Sequence, residues 1–467
     1  MVRRLFPNAV AAAVLIAMPS PSVGESLADA FIAAYRNSAL LEASRALLRA
    51  EDESVASAVA ALRPTLSTAA SITGRLARSP TQMGAIRTTD GNVSTALSLT
   101  AELLVSDGGA GRLGTSVARE TVLATRQTLL EVEQAVLMSA ATAFHDVMLR
   151  GELLELAENG LLVFETQLEA AKGRFELGEI TKTDVSLVEA RLASARSQVL
   201  LRRGELEIAR ESYRLATGVY PGDLLPPPPA PEVPNSLDRA QSIARQLHPS
   251  IVRAQHTVAA AQLAVKQLEV RLVPQVYLGG TVATNREFGA WERGTDSASV
   301  SLTARMPLYQ GGAYDSAKRR GIANLERARF ELEQAARRVD QEVASAWTRL
   351  QIAESSIEAR ELQVAATELA LRGIKQEAGL GLRTTLDVID SEQDVLAAVN
   401  DLIAAKNDRN VAVYGLLVSV GLMTVKHLGL GIPVYDPNEN LSRISSAPAE
   451  TWPATTVERA FRSLGMK

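Results

Sequence analysis

The sequence contains no cysteine. That absence excludes disulfides, thiolate zinc sites, iron–sulfur clusters, a cysteine nucleophile and a lipid attached to an N-terminal cysteine. Aromatic residues are scarce, at 4% of the chain, so the bulky aromatic core of an ordinary enzyme domain does not dominate. Neither sign of charge prevails. Lys and Arg number 49 against 53 Asp and Glu, a formal net charge of −4, which excludes a strongly basic nucleic-acid binder. No apolar run reaches the roughly 20 residues that a membrane-spanning helix needs; residues 9–18 and 411–423 both stop short. This last absence does not exclude a transmembrane barrel, whose strands are short and only alternately apolar. His145, His248, His256 and His427 are scattered without metal-ligand spacing, and no nucleophile–base grouping stands out. Neither enzymatic activity nor a cofactor is expected.

What is present is a hydrophobic fraction of 46%, much of it alanine with Leu and Val. Alanine has the best helix propensity and lets helices approach closely. The N-terminus reads as a secretory signal over residues 1–24: Arg3 and Arg4, then an apolar run from Ala9 to Met18, then the small residues Ser22-Val23-Gly24. The chain is therefore expected to leave the cytoplasm.

The length of 467 residues would by itself imply about three domains, but an internal duplication replaces that count. Ser26-Leu27 recurs 210 residues later at Ser236-Leu237, as Pro64 does at Pro274. Ser98-Leu99-Thr100-Ala101 recurs 203 residues later at Ser301-Leu302-Thr303-Ala304. Gly108-Gly109-Ala110 then recurs at Gly311-Gly312-Ala313. Gly178-x-x-Thr181-x-x-Asp184-Val185 recurs, still at 203, as Gly381-x-x-Thr384-x-x-Asp387-Val388. The first repeat is placed at 25–223 and the second at 236–423. The connector 224–235 contains Pro226 to Pro229 and reads as extended. A C-terminal extension, 424–467, is expected to be partly disordered.

Within each repeat, two segments alternate apolar and polar residues. In the first, Leu66, Thr68, Ala70, Ile72 and Leu76 oppose Ser67, Ser71, Thr73 and Arg75. Val93, Leu97, Leu99 and Leu103 likewise oppose Ser94, Ser98, Thr100 and Glu102. Val276 to Val282 and Ala298 to Met306 repeat the pattern. These are period-2 strands, with loops expected at 77–92 and 287–296. Two proline-free stretches, 109–177 and 312–380, predict helices of about 100 Å at 1.5 Å per residue. Along the second, Leu325, Ala328, Leu332, Ala335, Val339, Val343, Ala346 and Leu350 step by threes and fours, a coiled-coil seam. Returning helices are expected at 182–217 and 385–422, and shorter ones at 26–62 and 236–272.

Four amphipathic strands cannot close a barrel, which needs at least about eight, and lipid tolerates no open edge. Either the strands form a soluble sheet or several chains share one barrel; three chains supply twelve strands. The duplication, Pro307-Leu308-Tyr309-Gln310-Gly311-Gly312 and the paired Gly-x-x-Thr-x-x-Asp-Val turns resemble the TolC family of outer-membrane efflux and secretion channels over nearly all of 26–423. The resemblance implies a mostly α fold with β: a trimeric 12-stranded outer-membrane β-barrel continued by a long periplasmic α-helical barrel. It implies as partners a periplasmic adaptor, an inner-membrane ABC or proton-driven transporter, and outer-membrane lipid, with no nucleic acid.

Gly109-Ala110-Gly111-Arg112-Leu113-Gly114 matches a dinucleotide fingerprint, but the strand before it alternates and the second repeat keeps only Gly-Gly. Gly108, Gly109, Gly311 and Gly312 read instead as a flexible strand-to-helix junction between barrel and tunnel. Gly178 and Gly381 supply the φ > 0 of a helix end, and Thr181 and Thr384 can cap the next helix; these tips are expected to dock the adaptor. Asp387 and Asp390 lie i, i+3 on one helical face. By the resemblance they form carboxylate rings at the periplasmic entrance, which Arg383 holds shut against Thr183 and Asp184 of the neighbouring hairpin. Ala378 stands where a gate tyrosine can occur, and Leu187 occupies the first-repeat position related to Asp390. Without a lipid-bearing cysteine the chain matches a subgroup that serves type I protein secretion, the expected role, as well as efflux of small molecules. A periplasmic coiled coil without a pore is the alternative of another class.

Overall fold

The structure, a computed structural model, describes residues 24–80, 87–229, 231–287, 290–446 and 452–463. The signal sequence expected at 1–24 lies outside them except for Gly24. The first repeat contains α1 (Leu27–Asn37), α2 (Ala39–Ala60), β1 (Thr65–Pro80), β2 (Arg87–Ser106), α3 (Ala110–Glu176) and α4 (Lys182–Thr217). The second contains α5 (Leu237–Leu247), α6 (Pro249–Glu269), β3 (Gln275–Glu287), β4 (Ala290–Arg305), α7 (Ala313–Gly379) and α8 (Thr385–Val420). Then come α9 (Pro437–Ser446) and α10 (Trp452–Ser463).

Two expected helices are each broken in two. Between α1 and α2, Ser38 adopts φ −70°, ψ 110°, and its hydroxyl accepts from the Leu41 N–H, starting a new helix. Between α5 and α6 the break is at His248, where Pro249 occupies the first helical turn. Proline is accommodated there because its missing N–H would be unsatisfied anyway.

The four strands form one antiparallel sheet in the order β1-β2-β3-β4. They run further than the alternation alone indicated: β1 continues to Pro80, β2 starts at Arg87 and β4 starts at Ala290, so much of the expected loops is strand. Backbone pairing carries them on past the last clear apolar residue. The register aligns the two faces. Ser67, Thr100, Thr281 and Ser299 stand opposite one another across all four strands, with Thr100 Oγ1 and Thr281 Oγ1 3.4 Å apart. Thr68, Leu99, Val282 and Ala298 line up on the other face. That face leaves Ile72, Leu76, Val282, Val300 and Leu302 at least 60% exposed.

The helices α3 and α7 have 67 residues each, about 100 Å. α3 packs on α4, α7 on α8, and α3 on α8. The seam on α7 buries Ala328, Val339, Val343 and Leu350, with Leu332 and Ala346 partly buried. The largest core lies partway along the helices, around Phe31, Leu41, Leu48, Leu137, Phe144, Tyr213, Leu417 and Met423. A smaller one, nearer the turns, joins Phe164, Ala171, Val188, Leu192 and Ile389.

The C-terminal extension, expected to be partly disordered, is helical over α9 and packs against α2. Asn440 Nδ2 donates to the buried Asp52 carboxylate at 2.8 Å, and Arg126 donates to Asn438 Oδ1 and the Pro437 carbonyl. The Arg45 guanidinium lies over the rings of Tyr35 and Tyr435, at 4.8 and 5.4 Å from their centroids. These bonds and ring contacts fix the segment to the first repeat, although Asp52 Oδ1, Arg45 Nε and Arg126 Nε are left buried without a hydrogen-bond partner among the described residues.

Candidate functional site: helical turns and strand–helix junctions

Both helical turns have one geometry. Gly178 and Gly381 each sit at φ 76°. The Glu179 N–H donates to the Arg174 carbonyl and the Leu382 N–H to the Glu377 carbonyl, both at 2.9 Å. These are the six-to-one bonds of a Schellman ending, and the left-handed φ is what glycine supplies. Thr181 and Thr384 then start α4 and α8 in extended conformation at ψ 161°. Each makes a reciprocal capping box. The Thr384 hydroxyl accepts from the Asp387 N–H, while the Asp387 carboxylate accepts from the Thr384 N–H and hydroxyl, both at 2.8 Å. Asp184 does the same for Thr181, at 2.9 and 2.8 Å. These bonds, the backbone N–H first and the hydroxyl second, hold both carboxyls below their usual range.

Asp387 is therefore fastened to its own turn. The sequence signature for this was the Thr-x-x-Asp spacing of a capping box, present equally in the first repeat. Asp390 differs: it is exposed, and its Oδ1 accepts from Arg191 Nη2 of α4 at 3.1 Å. Sequence reasoning missed this partner, because no local spacing relates residues 199 apart. Arg383 does not reach Thr183 or Asp184 within the chain. Its Nε donates to Glu377 Oε2 of the same hairpin at 2.8 Å, and Thr183 is exposed. The pairing of Arg383 with Glu377 follows from the turn itself, which brings the end of α7 back beside the residue before Thr384.

At the other end, Gly108 and Gly109 have φ 69° and 92°, and Gly311 and Gly312 have φ 58° and 82°. Each pair turns a strand into a long helix. The Gly109 N–H donates to Asp107 Oδ1 at 2.8 Å, and the Gly111 N–H donates to Asp107 Oδ2. The N–H groups that a pyrophosphate would take are thus already held by a carboxylate of this chain. A side chain at Gly108 would press on Val273, and one at Gly111 on Leu62, so the first of these junctions is tightly packed. Among the described residues no group of His, Asp and Glu is placed to hold a metal, and no helix is long and apolar enough to cross a membrane.

Residues 33–219 and 241–422 match the family described as outer membrane efflux protein. The two matched stretches cover most of each repeat. The chain is 33% identical over 442 residues to the outer membrane efflux protein BepC of Brucella suis biovar 1, spanning 93% of this chain and 94% of that one. It is 23% identical over 329 residues to the alkaline protease secretion protein AprF of Pseudomonas aeruginosa, spanning 69% and 68%. The crystal structure of the outer membrane protein VceC from Vibrio cholerae superposes with a TM-score of 0.73 at 20% identity, covering 85% of this chain and 96% of that one.

Proposed function

Because the chain belongs to the outer membrane efflux protein family, we propose that three copies of it form the exit duct of a tripartite export system. The observation that carries this is the open sheet. β1 and β4 are edges, one face is apolar and exposed, and the other is a ladder of hydroxyls. Lipid excludes such edges. Three sheets joined edge to edge close a 12-stranded barrel with Leu, Ile and Val outward and Ser and Thr inward. The long helices then continue the wall by about 100 Å towards a periplasmic adaptor and an inner-membrane transporter, which supply the energy. The turns at Gly178, Thr181, Gly381 and Thr384 form the far end and the adaptor-docking tips.

For the cargo, similarity across 93% of the chain to a protein named for efflux supports small-molecule efflux. The similarity to a protease secretion protein supports type I secretion as the second reading. Deleting the gene and measuring dye accumulation alongside the secreted proteins separates them: raised dye retention alone supports efflux, loss of a secreted protein supports secretion. In planar bilayers the purified protein is expected to conduct, and no channel activity would overturn the duct. Asp387 and Asp390 are read as the cation-selecting carboxylates of the entrance, with Arg383, Thr183 and Asp184 meeting between copies when it is shut. Asp387→Asn with Asp390→Asn is expected to lower cation selectivity while keeping an acceptor for the Thr384 cap. Unchanged selectivity would reject the assignment.

A further inference from the structure

We propose that Arg191 governs how much negative charge this duct presents at its entrance, by pairing with Asp390 while the two hairpins of a chain lie together and exposing that carboxylate when they part. The inference rests on the duct reading and goes beyond it, since it concerns a residue of the first repeat that is not itself a pore carboxylate.

Three observations support it. The contact crosses the repeats: Arg191 is on α4, Asp390 on α8, and Nη2 to Oδ1 is 3.1 Å. The other cations beside this turn are engaged within their own hairpin, Arg383 with Glu377 and Lys375 with Glu392, so separating the hairpins leaves those pairs intact and breaks the Arg191 pair. Asp387 stays bound to Thr384 in either arrangement, because that capping box is local to α8. Asp390 is then the carboxylate whose pairing depends on the relation between hairpins. Its counterpart in the first repeat, Leu187, carries no charge, so each chain contributes one such switchable charge and a trimer three.

A second tie runs parallel to the first. Arg202 Nη2 donates to Asn400 Oδ1 at 3.2 Å, again from α4 to α8, while its Nη1 is held by Glu205 at 2.8 Å. This tie is to a neutral amide, so its loss loosens the hairpins without unmasking a charge. The two arginines therefore separate a mechanical role from an electrostatic one. Arg191 is a positioning and masking residue for Asp390.

The test uses the full-length purified oligomer in planar bilayers, with hexaamminecobalt(III) as the blocking probe. Arg191→Gln is expected to raise cation permeability and to lower the half-blocking concentration about two- to fivefold, the range of one exposed ion pair. Adding Asp390→Asn to Arg191→Gln is expected to abolish that gain, whereas Asn400→Ala alone, which cuts the Arg202 tie and leaves every charge in place, should leave block unchanged. If Arg191→Gln blocks like the unaltered protein while Asp390→Asn weakens block, the masking role is overturned and the entrance reading stands. If Asp387→Asn with Asp390→Asn also leaves block unchanged, the entrance reading itself falls. Should Arg191→Gln fail to assemble, Arg191→Lys, which keeps the charge but loses the fork, carries the same comparison at smaller amplitude.

Discussion

Two kinds of residue respond to pH for different reasons. The Asp184 and Asp387 carboxyls are held below the usual 3.8 by hydrogen bonds from Thr181 and Thr384. A depressed carboxyl contributes stability above its unfolded value, lost as pH falls through the folded one, so both turns are expected to stay capped at any pH above about 4. Thr384→Ala should cost about 1 kcal/mol locally, measured as faster amide exchange at residues 380–388 at constant pH. His145 behaves differently. It is 3% exposed in α3, with its ring 5.9 Å from that of Tyr414, and burial pushes it down to about 4. Its unfolded value is about 6.5, so the unfolded chain binds the extra proton between pH 6.5 and 4 and stability falls across that window on acidification. The loss across the whole window is on the order of 3 kcal/mol. Thermal melts at pH 7.5 and 5 should show it, and His145→Leu should flatten the slope. At this scale the sequence was only partly legible. It marked Asp387 and Asp390 as a pair on one face, but a local cap holds one and a distant arginine the other.

The elements were legible where periodicity carried the information. Alternation in Ala298–Met306 identified β4, because a sheet between lipid and water demands opposite chemistry on successive residues. The structure sharpens this into an expected asymmetry between neighbours. Leu302 stands on the apolar face, 70% exposed in the single chain, while Ser301 is on the hydroxyl face. Leu302→Arg should destabilise the assembled barrel by about 2–4 kcal/mol if it lies near the bilayer midplane, read as a lowered dissociation temperature. Ser301→Arg should assemble normally and change conductance. Equal effects would mean that the faces are assigned the wrong way round. The break at Ser38 was harder to see, since only capping geometry divides the helices there, whereas the break at His248 is marked in the sequence by Pro249, which disfavours helix at the residue before it.

For the whole molecule, the chain alone is unfinished. Its sheet has two open edges, and α4 and α7 leave Leu201, Ile208, Leu215, Phe330, Ile352 and Leu369 exposed. In the proposed trimer three copies would cover both. Light scattering in detergent should therefore give three times the mass of the mature chain, and a monomer would reject the closure argument. The C-terminal segment adds a further expectation. Asn440→Ala, which leaves α9 in place, would strip the donor from the buried Asp52 carboxylate, an uncompensated burial costing about 1–3 kcal/mol. The oligomer should then melt at a lower temperature without losing conductance.

The sequence by itself determined the duplication, the strand and helix content and the two turns. All of these are written in local spacing or in repeats of it, where a residue's neighbours along the chain are also its neighbours in space. Only the tertiary structure decided that Asp390 faces Arg191, that Arg202 reaches Asn400, and that the C-terminal segment locks onto α2. Those pairings join residues whose approach depends on how long helices lie against one another, and no periodicity along the chain encodes that distance.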